Sequence, residues 1–100
     1  MPDEADEFTV EREHTVYGGR YVVRLPDGSE AEMTYRQLDP RTILAEHTGV
    51  PPQHRAKGIA LMLVETAIAD ARRDGFKIVP QCTYVAAQFR RHPEWSDLRA

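Results

Sequence analysis

The segment that most constrains this chain begins at Val50, passes two prolines and a short basic stretch, and reaches Gly58. Apolar residues then recur at helical spacing through residues 59–74, and Gly75 follows as a left-handed closing residue. The apolar stripe consists of Ala60, Leu63, Val64, Ala67, Ile68 and Ala71. The sequence therefore predicts a strand, a glycine-containing turn and a helix, in that order.

The predicted turn carries two cationic side chains, Arg55 and Lys57, immediately before the helix. The start of a helix presents unpaired backbone N–H groups and the positive end of the helix dipole. Cations beside such N–H groups favour an anion, and phosphate fits best. Solvated charges on an ordinary strand-to-helix turn would show the same spacing, so these residues alone leave both interpretations open.

Length and composition narrow the classes of function. We expect residues 1–100 to form a single domain, with residues 1–6 as a frayed acidic tail and no secretory signal. The net charge of −3 disfavours nucleic acid and anionic membranes as partners. The single cysteine, Cys82, indicates a reducing compartment, for which we expect the cytoplasm. No His, Cys and Asp residues have the spacing of metal ligands, and no metal site is expected.

The remaining pattern predicts an α/β (α+β) fold with a mixed sheet. An antiparallel meander is followed by a β-α-β-α unit, and one helix is expected on each face of the sheet. Gly18–Gly19 is expected to break the chain, Thr83 to cap the second helix, and Trp95 and Leu98 to pack the tail onto the body. The predicted strands are 8–12, 21–25, 30–35, 42–50 and 76–80, the turns 26–29 and 39–41, and the second helix 83–91.

Two side chains outside the turn are candidates for chemistry. Cys82 lies just after the last predicted strand, where functional groups of α/β sheets gather, and at a helix start that would lower a thiol pKa. His47 lies in the strand before the turn and could act as a general base. Gly49 indicates a bulge or a close backbone approach in that strand. Burial in the core would explain Cys82 and His47 equally well.

Three segments resemble one known family. Residues 55–60, Arg-Ala-Lys-Gly-Ile-Ala, resemble the (Gln/Arg)-x-x-Gly-x-(Gly/Ala) loop of the GNAT superfamily of N-acetyltransferases, with Ala60 where many members carry a second glycine. Residues 79–95, Val-Pro-Gln-Cys-Thr-Tyr-Val-Ala-Ala-Gln-Phe-Arg-Arg-His-Pro-Glu-Trp, resemble the ending of a small single-domain branch of that superfamily. Residues 47–51 resemble its His-Thr-x-Val-Pro segment, with Gly49 where an acidic residue is usual.

The resemblance implies acetyl-coenzyme A as the cofactor and an unidentified amine, on a protein or a small molecule, as the acceptor. It places Cys82 near the acetyl group and leaves His47 as the other catalytic candidate. The implied reaction is direct transfer to the amine, and prior acetylation of Cys82 is the other route. The implied cofactor-binding residues are Val50, Arg55, Ala56, Lys57, Gly58, Ile59 and Ala60.

A non-catalytic acetyl-coenzyme A-binding module, or a subunit of a larger assembly, is the alternative function. From this sequence we expect none of the two N-terminal helices that form much of the acceptor side in larger members of the superfamily. We therefore expect an open acceptor face, on a protein that is a monomer or a weak homodimer.

Overall fold

The structure, a computed structural model, describes residues 8–100, so the predicted tail at residues 1–6 lies outside the described part. Five strands form one sheet in chain order; the first four are antiparallel neighbours, and the last pairs in parallel with the fourth. The α/β class with an antiparallel meander is thereby confirmed. The strands are β1 (Val10–Thr15), β2 (Gly18–Arg24), β3 (Glu30–Asp39), β4 (Thr42–Gly49) and β5 (Lys77–Pro80).

Helix α1 (Ile59–Asp74) has the predicted bounds and joins β4 to β5. Its last turn is closed by Gly75, which has a φ of 78° and donates its N–H to the Ala71 carbonyl at 2.8 Å. The left-handed conformation explains the glycine, because a side chain is disfavoured there. Among the described residues, neither α1 nor any other helix is long and apolar enough to cross a membrane.

Helix α2 (Thr83–Arg91) also has the predicted bounds, but its cap was predicted wrongly. Cys82, with extended φ and ψ of −62° and 130°, occupies the capping position, and Thr83 is the first helical residue. The Cys82 carbonyl already accepts the Ala86 N–H at 2.9 Å, while the Cys82 N–H is bonded to Ala45 of β4. The bond to β4 therefore holds Cys82 in an extended conformation, and the helix begins at the next residue, Thr83.

The sequence predicts a break in the chain at the glycine pair 18–19. This prediction is wrong, because the pair begins β2. A Cβ atom on Gly18, whose φ is 150°, would overlap the Tyr35 carbonyl oxygen, and one on Gly19 would overlap the Glu13 carbonyl oxygen. These glycines therefore allow both neighbouring strands to approach β2 closely.

The core is one hydrophobic cluster to which both helices contribute. Its members include Leu63 and Val64 of α1 and Val85 and Phe89 of α2. We expected one helix on each face of the sheet; instead, the buried side chains of α1 and α2 belong to the same cluster. The C-terminal 3₁₀ turn (Pro93–Leu98) completes it with Trp95 and Leu98, which are 7% and 6% exposed, as the sequence predicted.

The opposite face of β1, β2 and β3 carries charged side chains in a ladder instead of a helix. Arg20 lies 2.7 Å from Glu13, 2.8 Å from Glu30 and 2.9 Å from Glu32. Arg24 extends the ladder to Glu11 at 2.6 Å. Alternation along the strands separates this charged face from the apolar face under the helices.

Strand β4 contains a bulge that changes its pairing halfway along. Tyr35 pairs with Ala45, but the preceding Thr34 pairs with His47, so Glu46 is the extra residue. Parallel pairing with β5 also ends at Ala45, opposite Pro80. The second half of β4 therefore has no strand partner on that side.

Candidate functional site

The turn between β4 and α1 is built around Gly58. A 3₁₀ turn (Pro52–Lys57) leads to this residue, whose φ of 76° is left-handed. A Cβ atom at Gly58 would meet nothing within 4 Å, so the backbone conformation, not lack of space, requires glycine. No side chain caps α1, so the N–H groups of its first turn have no acceptor within the helix. The helix start is therefore left available to an anion.

The charges around this helix start are positive. The first turn of α1 contains no acidic residue, and the preceding 3₁₀ turn ends with His54, Arg55 and Lys57. Arg55 is exposed and donates its Nε–H to the Val50 carbonyl at 3.1 Å. Within residues 8–100, neither Arg55 nor Lys57 forms a salt bridge. Within the described residues, no carboxylate therefore neutralises their charges, which precede the start of α1.

The residues predicted to hold the cofactor lie in this turn and in the first two residues of α1. Ile59 is only 1% exposed and anchors the helix start in the core, so only its backbone can face a ligand. Gly58 supplies an open backbone, while Arg55 and Lys57 supply charge. These features fit a pyrophosphate, which needs backbone donors and cations and would be repelled by a carboxylate.

The structure adds a buried histidine that the sequence analysis did not single out. His54 is 8% exposed; its Nε2 lies 2.9 Å from Asp27 Oδ2, and its Nδ1 lies 3.1 Å from Lys57 Nζ. Asp27 belongs to the turn between β2 and β3, where its other oxygen accepts hydrogen bonds from Ser29. Hydrogen bonds from Ser29, and then from His54, hold the pKa of Asp27 well below its usual range. No local pattern relates Asp27 to His54, because 27 positions separate them.

Cys82 lies at the start of α2, beside the second half of β4. Its Sγ is 3.5 Å from Thr48 Oγ1, and its side chain is partly buried. Burial raises the pKa of the Cys82 thiol, but the hydrogen bond with Thr48 and the backbone N–H groups of Val85, Tyr84 and Thr48 outweigh it, and the pKa is lowered. The start of α2 thus stabilises a thiolate at this position.

His47 does not lie on the same face of the sheet as Cys82. His47 pairs with Thr34, whereas the next residue, Thr48, pairs with Met33 of the core. Successive residues point to opposite faces, so Thr48 faces Cys82 and the exposed His47 faces the side of the charged ladder. The two catalytic candidates therefore flank the same part of β4 from opposite sides.

Gly49 lies beside the His47 imidazole. A Cβ atom at Gly49 would lie 3.1 Å from the His47 Nε2, closer than an ordinary contact. The predicted irregularity of this strand is present, but its bulge lies at Glu46. Gly49 instead leaves room for the imidazole beside it.

Two open grooves lie away from these residues. One, of about 670 Å³, includes Arg12, His14 and Leu38 in its lining, and the other, of about 680 Å³, includes His14, Tyr17 and Glu46. Neither groove contains a predicted site residue. Within residues 8–100, no group of three or more His, Cys, Asp or Glu side chains could hold a metal ion.

A mixed sheet with an open, basic turn between its fourth strand and the following helix has a counterpart among known protein families. Residues 20–98 match the GCN5-related N-acetyl-transferase family. The chain therefore belongs to this family, and the protein is an acyltransferase of the N-acetyltransferase class.

The fold has a counterpart among solved structures. The solution NMR structure of a GCN5-like protein from Staphylococcus aureus superposes with a TM-score of 0.68 and 22% sequence identity, covering 90% of this chain and 87% of that one. At this identity the likeness concerns the fold alone. No curated protein sequence matches this chain.

Proposed function

We propose that this protein is a cytoplasmic, acetyl-coenzyme A-dependent N-acetyltransferase that moves the acetyl group directly to an amine. The observation that carries the proposal is the unpaired positive turn at Gly58, where helix N–H groups meet two cations. Membership of the N-acetyltransferase family supports it. The acceptor amine belongs to a protein or a small molecule that approaches an open site.

The turn is the proposed binding site for the pyrophosphate of acetyl-coenzyme A. Backbone N–H groups from Gly58 to Ala60 would donate to phosphate oxygens, and Arg55 and Lys57 would neutralise their charge. Val50 lies before the 3₁₀ turn and Ala56 lies within it, and both would border the bound molecule. The free edge of β4 leads from this turn to Cys82 and offers backbone groups along the way.

Acetyl-coenzyme A supplies an acetyl group activated as a thioester. His47, exposed on one face of β4, would take the proton from the attacking amine. The Thr48 N–H, which lies beside the Cys82 Sγ, would stabilise negative charge on the carbonyl oxygen. Cys82, on the other face, would protonate the departing thiolate. Its lowered pKa favours release of that proton.

The environment of Cys82 supports direct transfer over acetylation of Cys82 itself. A cysteine nucleophile is usually paired with a base, as in Cys–His pairs. Within the described residues, the side chain that is hydrogen-bonded to the Cys82 Sγ is Thr48, and His47 lies on the opposite face. Separate positions for base and acid suit a reaction in which the amine arrives and the thiolate leaves in one complex.

Thermal unfolding with and without acetyl-coenzyme A tests the proposal. A ligand at about 100 times its dissociation constant adds about 2.7 kcal/mol of stability, which raises Tm by on the order of ten degrees in a domain of this size. Acetyl transfer to a panel of amines, measured as the release of free coenzyme A thiol, then tests catalysis. Absence of any thermal shift at millimolar cofactor would refute cofactor binding, whereas a shift without transfer would favour a binding module.

A further inference from the structure

His54 lies between two opposite charges at the edge of the proposed phosphate site. Its side chain is 10% exposed, and each of its ring nitrogens has one polar neighbour, Asp27 on one side and Lys57 on the other. Gln53 also contacts Asp27, at 3.3 Å, whereas the hydrogen bond to Lys57 comes from His54. The series of contacts Asp27–His54–Lys57 therefore connects the β2–β3 turn to the Lys57 ammonium at the proposed phosphate site.

The direction of the hydrogen bonds follows from the chemistry of the three groups. An ammonium can only donate, so Lys57 Nζ donates to His54 Nδ1. A ring nitrogen that accepts carries no proton, and the proton of the neutral imidazole is then on Nε2. Nε2–H donates to the Asp27 carboxylate, which can only accept. This arrangement satisfies every partner and leaves two ammonium N–H groups of Lys57 available.

We propose that His54 is a positioning residue that holds the Lys57 ammonium toward the pyrophosphate of coenzyme A. This inference rests on the proposed function. A lysine side chain has four rotatable bonds, and ordering it on binding opposes affinity. His54 is itself fixed by burial and by Asp27, so Lys57 is already ordered before the ligand arrives. The contribution of His54 to affinity is thus exerted through Lys57.

A double-mutant cycle measured as coenzyme A affinity tests this inference. Lys57→Met removes the ammonium and keeps a flexible apolar stem, and we expect a loss of about tenfold. His54→Leu removes both hydrogen bonds at similar volume, and we expect a roughly fivefold loss when Lys57 is present. In the Lys57→Met background, His54→Leu should cause no further loss, because the positioned group is already absent.

Two controls separate positioning from a general effect on the loop. Gln53→Ala removes the neighbouring contact to Asp27 and should leave the affinity unchanged in both backgrounds. His54→Gln, which retains a polar side chain, provides a second variant if His54→Leu fails to fold. Amide spectra of each variant establish whether the fold is kept.

The possible results have different meanings. Equal losses from His54→Leu with and without Lys57 would show that His54 only supports the loop and would overturn the inference. Unchanged affinity in His54→Leu would overturn it as well. If the parent protein fails to bind coenzyme A at all, the proposed function itself is wrong, an outcome that the parent alone reveals.

Discussion

The two ends of α1 are built from similar residues but differ in what surrounds them. Each end has a left-handed glycine, Gly58 with a φ of 76° and Gly75 with a φ of 78°. Two cationic side chains accompany each glycine. The ends lie about 24 Å apart, the length of a 16-residue helix.

At the C-terminal end, the cations already have partners. Arg72 lies 3.0 Å from Asp97, and Arg73 lies 3.0 Å from Asp70 and 2.9 Å from Asp74. Gly75 returns its N–H to the helix, so the backbone is closed as well. This end is a structural cap in which the cations interact favourably with the negative end of the helix dipole.

At the N-terminal end, the two cations have no acidic partner in the described part of the chain. Arg55 and Lys57 form no ion pair with a carboxylate in the described part of the chain, and the first turn has no acidic side chain. Cations at this end are repelled by the positive end of the helix dipole unless an anion lies between the cations and the helix. The difference teaches that pairing, more than residue type, separates a closed helix end from a binding site.

The largest effect that distinguishes the two ends is expected at Cys82, which lies near the open one beside Thr48. Cys82→Ala should lower acetyl transfer by about 10²- to 10⁴-fold, the usual contribution of a general acid. Cys82→Ser should retain more activity than Cys82→Ala. Steady-state turnover across pH measures the loss, and the mass of the parent after exposure to acetyl-coenzyme A should be unchanged.

Two results would contradict this role of Cys82. A stable acetyl group on Cys82 that an added amine then removes would establish the two-step route, in which serine does not rescue. Full activity in both variants would reduce Cys82 to a packing residue. Thr48→Val is a useful companion variant, because it removes the hydrogen bond to Cys82 without removing the thiol.

Local patterns in the sequence predicted most of the fold. The bounds of α1 and α2 followed from helical spacing and from Gly75 and Pro93, signals that lie within a few residues of each helix end. The predictions were wrong where contacts with distant parts of the chain determine the local conformation. Gly18 and Gly19 lie in a strand because neighbouring strands approach closely, and Cys82 caps α2 because Ala45 holds its N–H.

The candidate site was predictable only where its residues are contiguous in the sequence. The turn at Gly58 could be found because the glycine, the cations and the helix start are consecutive. The Asp27–His54 contact depends on how the β2–β3 hairpin folds against the turn, and the opposite orientations of His47 and Cys82 depend on the register after the bulge. Neither relation leaves a periodic or local signal.

Neutralising the cations at each end tests the comparison directly. Arg55→Gln with Lys57→Gln should weaken coenzyme A binding roughly 100-fold, if each cation contributes about 1.4 kcal/mol. The matched variant, Arg72→Gln with Arg73→Gln, should leave binding unchanged and lower stability slightly, because exposed ion pairs contribute about 0–1 kcal/mol. Calorimetric titration measures both. Equal weakening by the two variants would show that only net charge attracts the ligand.

Two glycine turns offer a smaller and more specific test. Gly58 and Gly28 both have positive φ, 76° and 88°, and a Cβ atom at either would meet nothing within 4 Å. Gly→Ala at each position should therefore cost a similar amount of stability, about 1 kcal/mol. Only Gly58→Ala should weaken coenzyme A binding, about tenfold, because its backbone must approach the phosphates. Unfolding and binding measured on both variants check this, and equal binding would place the pyrophosphate elsewhere.

The smallest expected effect concerns pH and the residues that anchor each end, Asp27 and Asp97. The pKa of Asp27 is lowered in the fold, first by Ser29 and then by His54, and that of Asp97 is lowered by Arg72. Because each folded pKa lies below the unfolded value of about 3.9, the stabilisation is complete above that pH and is lost as the pH falls through the folded pKa. Asp27→Asn and Asp97→Asn should thus both be less stable than the parent at pH 7.

The free energies of unfolding of both variants should approach that of the parent as the pH decreases below about 4. The parent loses the stabilisation from its ionised carboxylates there, because those carboxyl groups become protonated. Denaturant unfolding at several pH values measures this convergence. Only Asp27→Asn should also weaken coenzyme A binding at neutral pH, by a small factor, because Asp27 holds His54 and, through it, Lys57. Asp97 contacts Arg72 at the C-terminal end of α1. If Asp97→Asn weakens coenzyme A binding as much as Asp27→Asn does, the distinction between the two ends of α1 is wrong.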